Sequence, residues 1–424
     1  MKKFFDFLKN SPTALHTVDS IRKILLDGGY TEIKESDFSA FSDGKPHFTV
    51  RGGGSIIAFR TGGRSGFTVA SAHSDAPSFK VKALAGQKGK YTRLFVEGYG
   101  GMIRYSWLDR PLSVAGRVAV RTEGGIDLRL VNIDKDLLVI PSVAIHLNRD
   151  VNEGVKLNPA VDLLPLIGGE GEDGVLLSLI AESLSVKEGD IISADLWLYN
   201  RECARTVGAR GEYILSPRLD DLSCVYTALM GFLSADNSDS VSVLAVFDNE
   251  EVGSVSHSGA DSDFLTATLR KIATDDSEYY RMIESSVMVS ADVAHARHPN
   301  RPELSDPEWA PVLGSGIAIK HNANKRYATD VYTESLLKVI AERAGVPVVD
   351  FSSRADMPCG STVGALSSSR ASIPTVDVGI PLLSMHSSVE TVAVADVEYG
   401  KALFKAVFSS TLLPTDTGVN IVTK

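Results

Sequence analysis

The stretch Leu244-Ala-Val-Phe-Asp-Asn-Glu-Glu-Val-Gly-Ser254 runs from core-type residues into two adjacent carboxylates, Glu250 and Glu251. The apolar run reads as a buried strand, and the acid pair follows at its end. Ionised carboxylates beside a core are expensive, and a bound cation is one way to make them tolerable. If Glu251 grips a metal, Glu250 stands next to it and is free to move a proton. The alternative is an exposed acidic turn after a strand, so the pair needs partners elsewhere in the chain.

Other segments repeat the theme. Phe67-Thr-Val-Ala-Ser-Ala72 predicts a buried strand that runs into His73-Ser-Asp75. An imidazole there can offer one nitrogen to a metal while the Asp75 carboxylate holds the other N–H. Asp220 and Asp221 open a helix carrying Val225, Leu229 and Phe232, where the helix dipole alone would welcome them. The strand Ser286–Ala291 ends in Asp292, the apolar run 314–319 ends in Lys320, and the apolar segment 373–380 precedes Met385-His386-Ser387. A helix from Ser11-Pro12, with His16 as a surface or packed side chain, is expected to end at Gly28-Gly29, and another spans 394–412.

Strands alternating with helices indicate an α/β fold, a mixed sheet with helices on its faces. At 424 residues the chain is long for one core. Between residues 83 and 207 the texture changes to short segments with β-type patterning, among them 113–121, 126–132, 136–140 and 175–182, with a loop at 168–174. The expected organisation is therefore a discontinuous domain of residues 1–82 and 208–424, interrupted by a β-rich domain of residues 83–207.

His73, Asp220, Glu251, Asp292 and His386 each stand at a strand end or a helix start, where open α/β sheets gather ligands. Two histidines and three carboxylates suit two Zn²⁺, Mn²⁺ or Co²⁺ ions, provided that one carboxylate is shared. Two such cations make a water between them more acidic, and Glu250 is left over to act as the base. The charge of −10, with no long basic run, speaks against nucleic acid and against an anionic membrane as partners. No segment reaches the roughly 18 apolar residues of a membrane span. Cys203, Cys224 and Cys359 offer neither a disulfide framework nor a four-cysteine zinc site. A reducing compartment fits, and the expected location is cytoplasmic.

Several segments in order resemble one family: Ala72-His-Ser-Asp75, Asp109-Arg-Pro-Leu-Ser-Val-Ala-Gly116, Ala144-Ile-His-Leu-Asn-Arg149, Ser216-Pro-Arg-Leu-Asp220, Asp248-Asn-Glu-Glu-Val-Gly-Ser254, Ser290-Ala-Asp-Val-Ala-His-Ala296, Asp356-Met-Pro-Cys-Gly-Ser-Thr362 and Met385-His-Ser387. The chain resembles the aspartyl aminopeptidases, metallopeptidases with two co-catalytic ions. The resemblance implies a zinc-peptidase catalytic domain with an inserted dimerisation domain. It implies that His73, Asp220 and Asp292 hold one ion, that Asp220, Glu251 and His386 hold the other, and that Asp220 bridges them. Zinc is the foremost choice of metal. It also implies Glu250 as general base, Asp75 as the residue that orients His73, and a cis peptide bond after Asp220. Dimers would assemble into a tetrahedral dodecamer, with His146 reaching a neighbour's active site. Two departures stand beside the ligands: His-Ser-Asp and Leu-Asp-Asp, where the family more often has His-Thr-Asp and Leu-Asp-Asn. Arg104 replaces a family histidine near Gly100-Gly101.

The substrate expected is a peptide with a free N-terminus and an acidic first residue, although some relatives prefer neutral residues such as Leu. Lys320, then Arg354, are the candidate cations for an acidic side chain. Asp356 is a candidate for the α-amine. Three rivals remain: a non-catalytic metal-binding scaffold, a thiol enzyme built on Cys359, and a di-metal carboxypeptidase of related fold.

Overall fold

A computed structural model describes every residue except 62, 237, 238 and 424. A nine-stranded sheet forms its centre. Across the sheet the strands run Thr31–Glu32, His47–Arg51, Ser55–Arg60, Val241–Phe247, Phe67–His73, Val287–Ala291, Thr375–Gly379, Ile317–His321 and Val348–Ser352. The middle four are mutually parallel. Their carboxyl ends therefore lie along one edge, and Phe247 pairs with His73 there. The sheet is mixed because the Ser55–Arg60 and Ile317–His321 strands run against their inner neighbours.

Burial on both faces explains why these strands read as continuous apolar runs. Alternate side chains point to opposite faces. Ala70, Ala72, Leu244, Val246, Val289 and Val378 join the core under the helices Leu219–Ser234 and Val394–Phe408. Phe67, Val69, Val243, Ala245 and Phe247 join the core under Phe264–Ala273 and Val363–Ala371. Gly231 lets the first two helices meet: a Cβ there would lie 2.4 Å from Phe404 Cβ.

A second, antiparallel sheet has the strand order Val96–Tyr99, Ser78–Val81, Ile191–Asn200, Leu112–Thr122 and Gly125–Asn132. It has its own apolar core around Phe79, Trp107, Val114 and Leu198. A third sheet joins Arg205–Val207, Tyr213–Ser216, Glu390–Ala393, Pro381–Leu383 and Ala294–His295.

Some local expectations change. Residues 175–182 form part of a helix, Val175–Leu184, not a strand. Leu176, Ile180 and Ala181 are its buried side chains, a helical spacing that a short apolar run conceals. Residues 136–140 contribute isolated bridges at Leu138 and Val139 instead of a strand. Within the 168–174 loop, Gly168 and Gly169 belong to a short strand, Leu166–Gly169, paired with Tyr91–Arg93. The first residues form a helix, Lys2–Asn10, that buries Phe4, Phe7 and Leu8 on one stripe. The next helix starts at Ala14 after Thr13, so Ser11 is not its cap. The last helix stops at Phe408, and Ser410–Pro414 turns into a hairpin with Val419–Thr423. No helix among the described residues is long and apolar enough to cross a membrane.

Candidate metal centre

The carboxyl edge of the parallel strands gathers the five expected ligands. His73 ends its strand, Asp292 follows Ala291, and Glu250 and Glu251 begin a short 3₁₀ turn after Phe247. Asp220 sits at the start of the Leu219–Ser234 helix, followed by a cis peptide bond to Asp221. His386 follows the Pro381–Leu383 strand with φ 64°.

Asp220 lies between the two histidines. Its Oδ1 is 3.4 Å from His73 Nε2, and its Oδ2 is 3.3 Å from His386 Nε2. Asp292 Oδ1 is 3.9 Å from His73 Nε2, and Glu251 Oε2 is 3.4 Å from His386 Nε2. Two groups thus share Asp220: His73, Asp220 and Asp292 with Asp221 beside them, and Asp220, Glu251 and His386.

The donors fit a divalent cation of the zinc type. His386 Nδ1–H donates to the Gly101 carbonyl at 2.9 Å, and His73 Nδ1–H donates to the Asp75 carbonyl at 3.1 Å. Each bond occupies Nδ1 and turns Nε2 toward the carboxylates, where a cation displacing its proton would find a ligand. Asp220 Oδ1 and Glu251 Oε1 are buried without a hydrogen-bond partner, which is costly unless a cation answers them.

Electrostatics agree. Burial pushes the Glu250 carboxyl up to about 7; His73 opposes this, and Asp292, Asp75 and Asp220 add to it. Burial and the nearby Asp220 carboxylate raise Glu251 well above the carboxylate range. Burial disfavours the charged form of His386, but Asp220 and Glu251 overcome it and lift the imidazole to about 10. Burial likewise opposes Asp220, yet the two histidines hold it below its ordinary value. A divalent cation inverts this logic, because it favours every charged carboxylate around it.

Asp75 does more than its sequence position suggested. Its carboxylate Oδ1 is 3.4 Å from His73 Nδ1, while its backbone carbonyl accepts the Nδ1–H. The same carboxylate accepts the N–H groups of Glu250 and Glu251, both at 3.1 Å, and the Tyr99 hydroxyl at 2.7 Å. One buried acid thereby anchors the first histidine and the whole acid pair. Asp221, buried, accepts the His73 N–H at 3.2 Å.

A cleft of about 740 Å³ opens onto the cluster, lined among others by Glu250, Lys320, Tyr327, Phe351, Ser361 and Met385. Lys320 Nζ is 3.3 Å from Asp292 Oδ2 and 5.3 Å from the Tyr327 ring centroid. Burial opposes its charge, but Asp292, Tyr327 and Asp377 together outweigh that and raise the ammonium further. Arg354 and Asp356 lie outside this lining and pair with each other at 2.6 Å on the surface. His146 is exposed and is not among the residues lining the cleft. Cys359 is only partly buried, and it belongs to the small apolar group with Tyr327 and Phe351.

Two contributors were missed by the sequence reading. Gly101 orients His386 through a carbonyl, which no side-chain pattern can announce. Glu390 accepts the N–H groups of both Asp220 and His386. Its spacing from His386 is the one sequence signal that could have found it.

Comparison with known proteins gives consistent matches. The family model for "Aminopeptidase I zinc metalloprotease (M18)" matches residues 7–408. A "Probable M18 family aminopeptidase 2" of Clostridium novyi is 40% identical over 423 residues, covering 96% of this chain and 98% of the relative. A "Probable aspartyl aminopeptidase" of Ricinus communis is 38% identical, with coverage of 95% and 94%. Among solved structures, a chain in the cryo-EM structure of the Ape4 and Nbr1 complex aligns with TM-score 0.92 and 36% identity, covering 96% of this chain and 85% of that one. The S. cerevisiae mApe1 dodecamer aligns with TM-score 0.85 and 26% identity, covering 96% and 95%.

Proposed function

Since the chain belongs to the M18 family of zinc metalloprotease aminopeptidases, hydrolases acting on peptide bonds, we propose that it removes acidic residues from peptide N-termini at a two-ion centre. The observation that carries the two-ion reading is Asp220, with one carboxylate oxygen toward each histidine. His73, Asp220 and Asp292 would hold one ion, and Asp220, Glu251 and His386 the other. Zinc is the first choice for this nitrogen and oxygen donor set, with Mn²⁺ or Co²⁺ as substitutes. When bound, such ions would supply Lewis acidity toward the scissile carbonyl and toward the hydrolytic water.

The side chains do the rest. Glu250 accepts the proton of the hydrolytic water on its carboxylate and returns it to the leaving amine. Its backbone N–H, anchored on Asp75, and its place in the cleft lining support that role. Asp75 keeps Glu250, Glu251 and His73 in one arrangement. Aromatic Tyr327 and Phe351 line the cleft and limit water around the reacting bond.

The acidic preference rests on Lys320. Among the residues lining the cleft it is the one lysine or arginine. A carboxylate in the first side chain of the substrate would meet that ammonium. Arg354 and Asp356 pair with each other outside the cleft lining, which leaves Lys320 the better-placed cation. Release of Asp, Glu and Leu from otherwise matched peptides tests the reading. Faster release of Asp and Glu supports it, exclusive release of Leu rejects it, and a blocked N-terminus should stop the reaction.

Residues 83–207 act as the dimerisation domain in this reading, and dimers build a tetrahedral dodecamer. Ile126 and Leu128 are 59% and 63% exposed on the outer strand Gly125–Asn132, and Leu147 beside His146 is 82% exposed. Apolar side chains displayed this way suit contact with a second copy. His146 would reach a neighbour's active site. Replacing it with Phe should lower turnover in an assembled enzyme; unchanged turnover sinks that role.

A further inference from the structure

Glu390 begins the Glu390–Ala393 strand, which pairs with Tyr213–Ser216 so that Glu390 faces Ser216. That register places it between two chain segments remote in sequence, one leading to Asp220 and the other leaving His386. The side chain is 2% exposed. One oxygen accepts the His386 N–H at 2.8 Å, and the other accepts the Asp220 N–H at 3.0 Å. Its two hydrogen bonds both come from backbone N–H groups, not from a lysine, arginine or histidine side chain. The charges of Arg218 and His386 act on it without direct pairing, and a carboxylate buried in this way is an expensive way to fill space. Ordinary packing would be served better by an apolar side chain.

We propose that Glu390 is a positioning residue for the metal centre: it clamps the backbones of Asp220 and His386 at one separation. The inference rests on the proposed two-ion reading. The clamp works because each oxygen is committed to a different segment. His386 also needs external support, since its backbone is held at φ 64°. Glutamine at this position keeps the shape but has one acceptor oxygen, and its amide N–H₂ would face a backbone N–H. One of the two segments is then released. Aspartate keeps the charge but is one methylene too short to span both.

The test uses full-length protein stripped of metal and titrated with Zn²⁺ against a chromophoric chelator. Visible absorption of the Co²⁺-loaded form is recorded in parallel. Glu390→Gln should bind zinc roughly 10–100-fold more weakly than the parent, as loss of a ligand-orienting partner does elsewhere. Its Co²⁺ bands should shift, and kcat should fall more than KM rises. Glu390→Asp should fall in the same direction, which keeps the test alive if the glutamine variant does not fold. Unchanged zinc affinity and Co²⁺ bands, with only a lower melting temperature, would make Glu390 a packing residue and overturn the proposal. A parent protein that takes up no zinc in the same titration removes the metal centre itself, an outcome distinct from failure of the clamp alone.

Discussion

Asp220 Oδ2 stands 3.3 Å from His386 Nε2, while the other oxygen of the same carboxylate is turned to His73 at 3.4 Å. In the proposed two-ion centre, a side chain shared in this way should be indispensable to both positions. Asp220→Asn should lose zinc from both positions, whereas Glu251→Gln should weaken the ion near His386 more than the one near His73. Metal analysis after dialysis reads this directly. Exhaustive chelation of the parent should abolish peptide cleavage, and added Zn²⁺ should restore it. Activity that survives chelation would favour a thiol mechanism at Cys359.

Asp377 has a different task. It is fully buried on a central strand, where it accepts the Ala328 N–H and the Thr362 hydroxyl, both at 2.6 Å. Those partners tie to the sheet the two loops that carry Tyr327 and Ser361 into the cleft. Gly364 permits the close approach, since a Cβ there would lie 2.3 Å from Asp377 Oδ1. Asp377→Ala strands both donors and should cost about 2–5 kcal/mol. Asp377→Asn, which keeps one acceptor, should cost less. Chemical denaturation of the two variants checks the order.

His16 predicts a pH dependence of stability. Burial lowers its pKa from 6.5 to about 4, despite the opposing charge of Asp19, and its Nδ1 shares a hydrogen bond with Thr13 Oγ1 at 2.8 Å. The unfolded chain therefore binds the proton more readily than the folded one. Stability from this group is complete above the unfolded value of 6.5 and is lost as the pH falls toward 4. The loss should reach at most about 3 kcal/mol. His16→Gln should flatten that part of the stability profile while leaving the profile above neutrality alone. An unchanged slope between those pH values contradicts the assignment.

Much of the candidate site was legible because its proposed ligands come from rigid places. His73, Asp292 and Glu251 follow apolar strands whose parallel order brings their ends together. Local pattern recovers such strands well, because burial on both faces leaves long apolar runs. The Val175–Leu184 helix was misread because a short apolar run carries no decisive period. The supports were less visible than the ligands. Gly101 acts through its backbone, and Glu390 acts through a sheet register that joins remote segments. Asp75 was found as a partner of His73, but its hold on Glu250 and Glu251 appears only when their strands are adjacent. Arg354 and Asp356, plausible as charges for a substrate, neutralise each other two residues apart.

The division of labour between Glu250 and Glu251 is the most exposed point of the account. Asp75 holds the backbone N–H of both acids and both line the cleft, but it is Glu251 that stands 3.4 Å from His386 Nε2. Measuring zinc content and peptide turnover together on Glu250→Gln tests it most directly. The expected result is zinc content equal to the parent with kcat lower by about 10²–10⁴-fold. Turnover close to the parent's at full zinc content would contradict the proton-carrying role of Glu250.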